Sequence, residues 1–258
     1  MKVEDLVSVL MPTFNKKEFA RDAVISLLMQ DWPVKLIVVD DASTDGTREE
    51  IDRLHKLYKS EFKDFMRIYL PGNIGPNGAM EMGMLHLEGK ASFVLDPDDF
   101  LHKDYIKTMY PVLMQNLWRG VGFAYSNSWL VDEYSNIIGQ GNSRDFDSGE
   151  YHRKSYIPGN AMTLTKLLRE VLPLDWSIRK HTKWHRIMRM IESYYQFGEF
   201  VPERLFYYRM HSNNVSGVGD KVNKRLSEGV TEHLLDSYWE VTPDYNKNFV
   251  HLLRPTGS

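Results

Sequence analysis

"VKLIVVDDASTDGTREEIDRLHKLYKS" fills Val34–Ser60 and sets the reading of the whole chain. It opens on a nearly unbroken apolar run, as a strand buried on both faces does, and closes that run with two carboxylates, Asp40 and Asp41. A polar turn rich in Asp, Ser and Gly follows. Beyond it comes a segment with acids in its first turns, for which Thr44 or Asp45 is the expected helix cap. The same strand-loop-helix order recurs on both sides. "LVSVLMP" (6–12) reads as a strand stopped by Pro12, and "KEFARDAVISLLMQ" (17–30) as a helix. "MRIYLP" (66–71), "GAMEMGMLHLE" (78–88) and "ASFVLD" (91–96) continue the series, before a helix over "HKDYIKTMYPVLMQ" (102–115) that Asp99 is placed to cap. This alternation over the first ~105 residues predicts an α/β fold with a mostly parallel, Rossmann-like sheet flanked by helices.

The totals narrow the classes. The chain has 258 residues, 42% of them apolar, enough for a sizeable core in one large domain. A net charge of −3 does not suit a protein that binds nucleic acid or membrane surfaces with its whole body. There is no cysteine, which excludes thiolate metal sites and disulfides and makes a cytoplasmic location the default. No run is long enough for a membrane span, and the N-terminal apolar run is too short and too acidic in its flank for a signal peptide.

In open α/β sheets, ligands bind beyond the carboxyl ends of the strands. Four polar loops fall there: "PTFN" (12–15), "DDASTDG" (40–46), "PGNIGPNG" (71–78) and "DPDD" (96–99). The last crowds three carboxylates at one strand end, where like charges gain nothing unless something positive arrives. A hard divalent cation, Mn²⁺ or Mg²⁺, bound through one or two carboxylates and the phosphates of a substrate, is such a partner.

Taken in order, "VSVLMPTFN", "SLLMQDWPVKLIVVDDASTDGT", "NIGPNGAMEMG" and "FVLDPDDF" resemble the family 2 glycosyltransferases and their GT-A nucleotide-sugar fold, over roughly residues 6–110. "YYRMHSNNVSG" (207–217) extends the match weakly. The resemblance implies a donor site made by Pro12, Thr13, Phe14, Asp41 and Asp96. In it Phe14 lies against the nucleotide base, Asp41 accepts a hydrogen bond from the base, and Asp96 sits near the ribose and metal. Asp98 is implied as the main metal ligand, with His211 as a further metal or phosphate contact. The implied reaction moves a sugar from a nucleoside-diphosphate sugar, a UDP-sugar first, to an acceptor hydroxyl.

The chain departs from that family in two places. The acidic pair usual at the start of the long helix is missing. "RKHTKWHRIMRM" (179–190) stands there, with no acid between Asp175 and Glu192. Three explanations compete: Asp175 serves as the base from a shifted position, which is favoured; the chemistry retains configuration and needs no such base; or a sugar nucleotide is bound without efficient transfer. Arg179, Lys183 and Arg186 recur at helical spacing and suit an anionic acceptor, such as a phosphorylated glycan or modified nucleic acid. In the second departure, Met80 and Glu81 occupy positions where the family commonly has a basic residue and an Asn. The expected organisation is a GT-A domain over 1–217, with a nucleotide-sugar half (1–110) and an acceptor half (111–217), then a helical C-terminal extension (218–258). Two rival functions remain: a nucleotide-sugar or polymer binding module lacking efficient transfer, and a nucleotidyltransferase.

Overall fold

A computed structural model describes residues 5–153, 155–178, 182–194, 196–211 and 214. The expected C-terminal extension lies outside the described residues, as do Arg179, Lys180 and His181. The described chain runs β1 (Val7–Thr13), α1 (Ala20–Leu28), β2 (Val34–Asp40), α2 (Thr47–Tyr58), β3 (Asp64–Tyr69), α3 (Pro76–Met84), β4 (Ala91–Val94), β5 (Phe100–Leu101) and α4 (Tyr105–Gln115). It continues with β6 (Val121–Val131), β7 (Ile137–Gly141), α5 (Ser148–Tyr151), β8 (Met162–Leu164), α6 (Thr165–Glu170), α7 (Thr182–Tyr194) and β9 (Phe197–Arg209). The strands form one sheet in the order β3-β2-β1-β4-β8-β6-β9-β5, with β7 beside β6. The β3-β2-β1-β4 part is wholly parallel. In the second half, β8 is antiparallel to both neighbours, and β9 runs parallel to β6 and antiparallel to β5.

Alternation along the central strands divides the core into two layers. Val7, Val9 and Met11 of β1, with Val34, Leu36 and Val38 of β2, pack with α1, α2 and α4. Leu10, Ile37 and Val39 face the other way and pack with α3, α6 and α7. A strand buried on both faces is apolar at most positions, which is why β1 and β2 read as nearly unbroken runs; the polar residues inside those runs, Ser8 and Lys35, each find a partner on Glu88. Gly83 lets α3 press close to the sheet, since a Cβ there would lie 2.1 Å from Leu10 Cδ1.

Three local expectations are corrected. β1 does not stop at Pro12 but continues to Thr13. Leu95 N donates to Leu10 O, so even-numbered residues of β1 face β4. Since β4 ends at Val94, the amide that Pro12 lacks falls where the ladder has already stopped. The cap of α2 is Gly46 at φ 92°, rather than Thr44 or Asp45. The Asp45 carboxylate instead accepts the Thr47 amide from two residues away. Asp104 flanks the start of α4, and Asp99 turns inward to accept the Arg209 amide at 2.8 Å. On α7, Ile187, Met188 and Ile191 are buried.

Candidate functional site

The four polar loops do converge at the carboxyl edge of the parallel strands. The loop after β1 is laced to the loop after β2: Asn15 N donates to Ser43 Oγ, Thr44 N to Asn15 Oδ1, and Lys16 N to Thr47 Oγ1, each at 2.9 Å. Asn15 and Ala42 adopt left-handed backbone at φ 52° and 62°, which turns each loop back sharply. Phe14 is 45% exposed, so its ring is a bare aromatic face beside this edge. Thr13 is different. It is 2% exposed, its Oγ1 has no hydrogen-bond partner, and its carbonyl accepts the Asp41 amide at 2.9 Å, so the residue lies beneath the edge rather than on it.

Asp41 reaches across to the start of α3. Its Oδ1 accepts the amide of Ile74 at 2.7 Å and its Oδ2 that of Gly75 at 2.8 Å. Gly75 has φ 89° and ψ 170°, a region essentially reserved for glycine, and Pro76 follows at the first helical position. The carboxylate thus seats on the positive end of α3 and ties two loops together. Each oxygen retains a second lone-pair direction for a ligand. Asp40, its neighbour, is buried and paired with Arg48.

At the end of β4 the three carboxylates have separate fates. Asp98 Oδ2 accepts from Lys16 Nζ at 2.7 Å and contacts His211 Nε2 at 3.0 Å. Burial alone would raise the Asp98 carboxyl, but the His211 hydrogen bond and the Lys16 ammonium outweigh it and hold it down at about 2. Asp99 is pushed well above the carboxylate range by burial and by the charges of Asp98 and Asp96. Asp96 reaches solvent yet is hemmed in by protein, as a side chain in a recess is. Burial and Asp98 raise its carboxyl, against the pull of Lys183, Arg186 and Lys16.

Because its folded value lies below the ordinary 3.8, Asp98 contributes stability in full above that pH and loses it as the pH falls toward about 2. The stability gap between wild type and Asp98→Asn should therefore shrink by roughly 2 kcal/mol over that interval. Urea unfolding at several pH values measures it, and a gap independent of pH would rule out the ion pairs.

Beneath the carboxylates sits Arg209, 1% exposed, which sequence reasoning missed. Its guanidinium donates to Asp22 Oδ2 at 2.7 Å, Asp98 O at 2.8 Å, Glu133 O at 2.8 Å and Ser135 Oγ at 3.0 Å. The available signal was an arginine inside an otherwise apolar strand, "RLFYYRM" (204–210). His211, two residues later, stacks on Phe19 with ring centroids 4.7 Å apart. Its amide donates to Asn214 Oδ1 at 2.6 Å.

The basic face of α7 is split. Arg186 is 4% exposed, with Nη2 on Gly159 O and Nη1 on Met80 Sδ, both at 3.0 Å. Where the acceptor role expected for it asks for an open guanidinium, Arg186 is covered in this structure and its charge faces Asp96. Lys183 stays half-buried on the same wall; a Cβ on Gly159 would lie 3.4 Å from Lys183 Cδ and 3.8 Å from Asp96 Oδ2. Arg179 lies outside the described residues. Asp175 is exposed, and its Oδ1 accepts the Ser177 amide at 2.9 Å and hydroxyl at 2.6 Å, which lower its carboxyl. Its carbonyl takes Asn77 Nδ2 at 2.7 Å. Glu81 anchors the same loop, accepting Leu174 N at 2.8 Å and Trp176 Nε1 at 3.0 Å.

Among the described residues no three His, Asp or Glu side chains converge to hold an ion unaided. Mg²⁺ and Mn²⁺ do not require that when substrate phosphates complete the shell. The Asp98 carboxylate is a hard oxygen donor that suits such an ion; His211 Nε2, 3.0 Å from it, can join only as a neutral imidazole nitrogen. No helix among the described residues is long and apolar enough to cross a membrane.

A model of the family described as Glycosyl transferase family 2 matches residues 8–172. A putative teichuronic acid biosynthesis glycosyltransferase, TuaG of Bacillus subtilis, is 31% identical over 127 residues, covering 49% of this chain and 48% of that one. The chain spans about half the length, or less, of the first curated relatives it matches. Among solved structures, S. aureus TarS 1–349 in complex with UDP aligns with TM-score 0.59 at 17% identity, over 80% of this chain and 61% of that one. The mannosyltransferase PcManGT from Pyrobaculum calidifontis, in complex with GDP-Man and Mn²⁺, aligns with TM-score 0.60 at 15% identity, over 95% and 68%. At such identities the likeness is one of fold, and that fold is the expected GT-A sheet.

Proposed function

The chain belongs to glycosyl transferase family 2, and on that footing we propose that it transfers a sugar from a nucleoside-diphosphate sugar to an acceptor hydroxyl, using a divalent cation at Asp98. The observation that carries this reading is the Asp98 corner: an ionised carboxylate at the end of a parallel strand, met there by Lys16 and His211. In this reading Phe14 is the platform for the base, and Asp41 accepts the base N–H through its remaining lone pairs. The backbone at Pro12 and Thr13 borders the base, and Asp96 lies against the ribose. Uridine is the first choice of base; TarS carries UDP, while PcManGT carries GDP-Man.

Asp98 and His211 would hold Mn²⁺ or Mg²⁺. When bound, such an ion neutralises the charge that grows on the diphosphate as it departs. The acceptor oxygen forms a bond to the anomeric carbon, the bond from that carbon to the diphosphate breaks, and the hydroxyl proton goes to a base. Asp175 is proposed for that role, supported by its exposed carboxylate, kept ionised by Ser177. Lys183, with Arg179, is proposed to meet an anionic acceptor.

Donor hydrolysis and transfer, measured across UDP- and GDP-sugars with and without Mn²⁺, test the reading. No turnover of any donor would overturn it. Asp175→Asn should reduce turnover by about 10²–10⁴-fold while calorimetric donor affinity stays unchanged. Normal turnover would move the base elsewhere. A second reading, a sugar-nucleotide binding module, draws on the absence of any acid from 176 to 191, and is favoured if donors bind without turnover.

A further inference from the structure

We propose that Lys16 is the resident cation of the Asp98 corner: a divalent ion entering the site must displace its ammonium, which then engages the donor's diphosphate. This rests on the reading above and adds to it a positioning residue that couples the two binding events. Lys16 Nζ is 2.7 Å from Asp98 Oδ2, the same oxygen that His211 Nε2 contacts at 3.0 Å, and the two nitrogens are 3.4 Å apart. Mg²⁺ or Mn²⁺ would take a carboxylate oxygen at about 2.0–2.2 Å, so an ion and an ammonium on that one oxygen would crowd and repel each other.

Lys16 is built to move without disturbing its surroundings. Its backbone is held at both ends: its amide donates to Thr47 Oγ1 at 2.9 Å, and its carbonyl accepts the amides of Phe19 and Ala20 at 3.1 and 3.0 Å. The four-carbon stem can therefore redirect the charge while the loop stays in place. Nor is Lys16 needed to fix the carboxylate loop. Arg209 already does so from behind, with Nε on Asp98 O and its amide on Asp99 Oδ1, both at 2.8 Å. Among the described residues Asp98 is the acidic partner of Lys16. Once an ion takes that partner, the strongest anion left within the site is the diphosphate that arrives with it, for which a compact ammonium is suited.

The proposal predicts opposite signs for two affinities. Lys16→Met keeps the stem and removes the charge. Mn²⁺ binding to the nucleotide-free protein, followed by electron paramagnetic resonance of the free aquo ion, should tighten by about tenfold, a change of ~1.4 kcal/mol. UDP or GDP binding at saturating Mn²⁺, measured by calorimetry, should weaken by about tenfold. A purely structural role would weaken both or neither. Unchanged or weaker Mn²⁺ binding overturns the displacement, and unchanged nucleotide binding overturns the second step. Lys16→Gln gives the same comparison if the Met variant does not fold. If no nucleotide binds the wild type, the donor reading fails, and the Mn²⁺ titration still decides for or against displacement.

Discussion

Asp98→Asn should lower sugar transfer by about 10³-fold or more, equivalent to ~4 kcal/mol of transition-state stabilisation. The substitution keeps volume and shape, so the packing around β4 should survive. What it removes is the one carboxylate of the three that the surroundings hold firmly ionised: Asp96 and Asp99 are both shifted the other way. A neutral amide in that place offers a divalent cation a weak ligand and takes away the carboxylate that lies between Lys16 and His211. Calorimetry with UDP and Mn²⁺ should show loss of the metal-dependent part of binding, with the melting temperature at neutral pH lowered by about 4–8 °C, as a loss of roughly 2 kcal/mol implies. If the variant binds Mn²⁺ and nucleotide as the wild type does, the metal is not held here and the proposed mechanism loses its centre.

Arg209→Met should destabilise the protein by about 3–5 kcal/mol, because it leaves a buried carboxylate without its partner. Asp22 is itself buried, and its Oδ2 takes Arg209 Nη2 at 2.7 Å. The carbonyls of Asp98 and Glu133 lose a donor at the same time. In a chain of this size each kcal/mol moves the melting point by about 2–4 °C, so a fall of roughly 10 °C is expected. The double variant Arg209→Met with Asp22→Leu should recover part of that loss, since replacing both partners of a buried pair by apolar groups costs less than stranding one. Melting within 3 °C of wild type for the single variant would mean that the guanidinium is not the keystone beneath the carboxylates.

The expected strands of the first half all formed, and so did the loops at their carboxyl ends. The reason is local: a strand buried on both faces is mostly apolar along its run, interrupted here by Ser8, Lys35 and Ser92, so β1, β2 and β4 announce themselves by pattern, and their polar ends mark where the ladder stops. Asp41 and Asp98 were legible for the same reason, as charges placed straight after buried runs. The errors came from partners distant in the chain. Pro12 was read as a breaker because the pattern does not say on which side its missing amide falls, and that depends on where β4 ends. Asp99 was read as a cap because its inward partner, the Arg209 amide, is 110 residues away.

Pattern along the chain was therefore sufficient for the parallel strands of the first half, the helices flanking them and the edge where chemistry gathers, because each is enforced by neighbours a few residues apart. The company each charge keeps was not. Lys16 meets Asp98 across 82 residues and His211 meets it across 113, contacts created by strand order and carried by no periodicity. The inward turn of Arg186 was equally invisible, since helical spacing assigns residues to a common face without saying whether that face looks out to water or in toward a carboxylate.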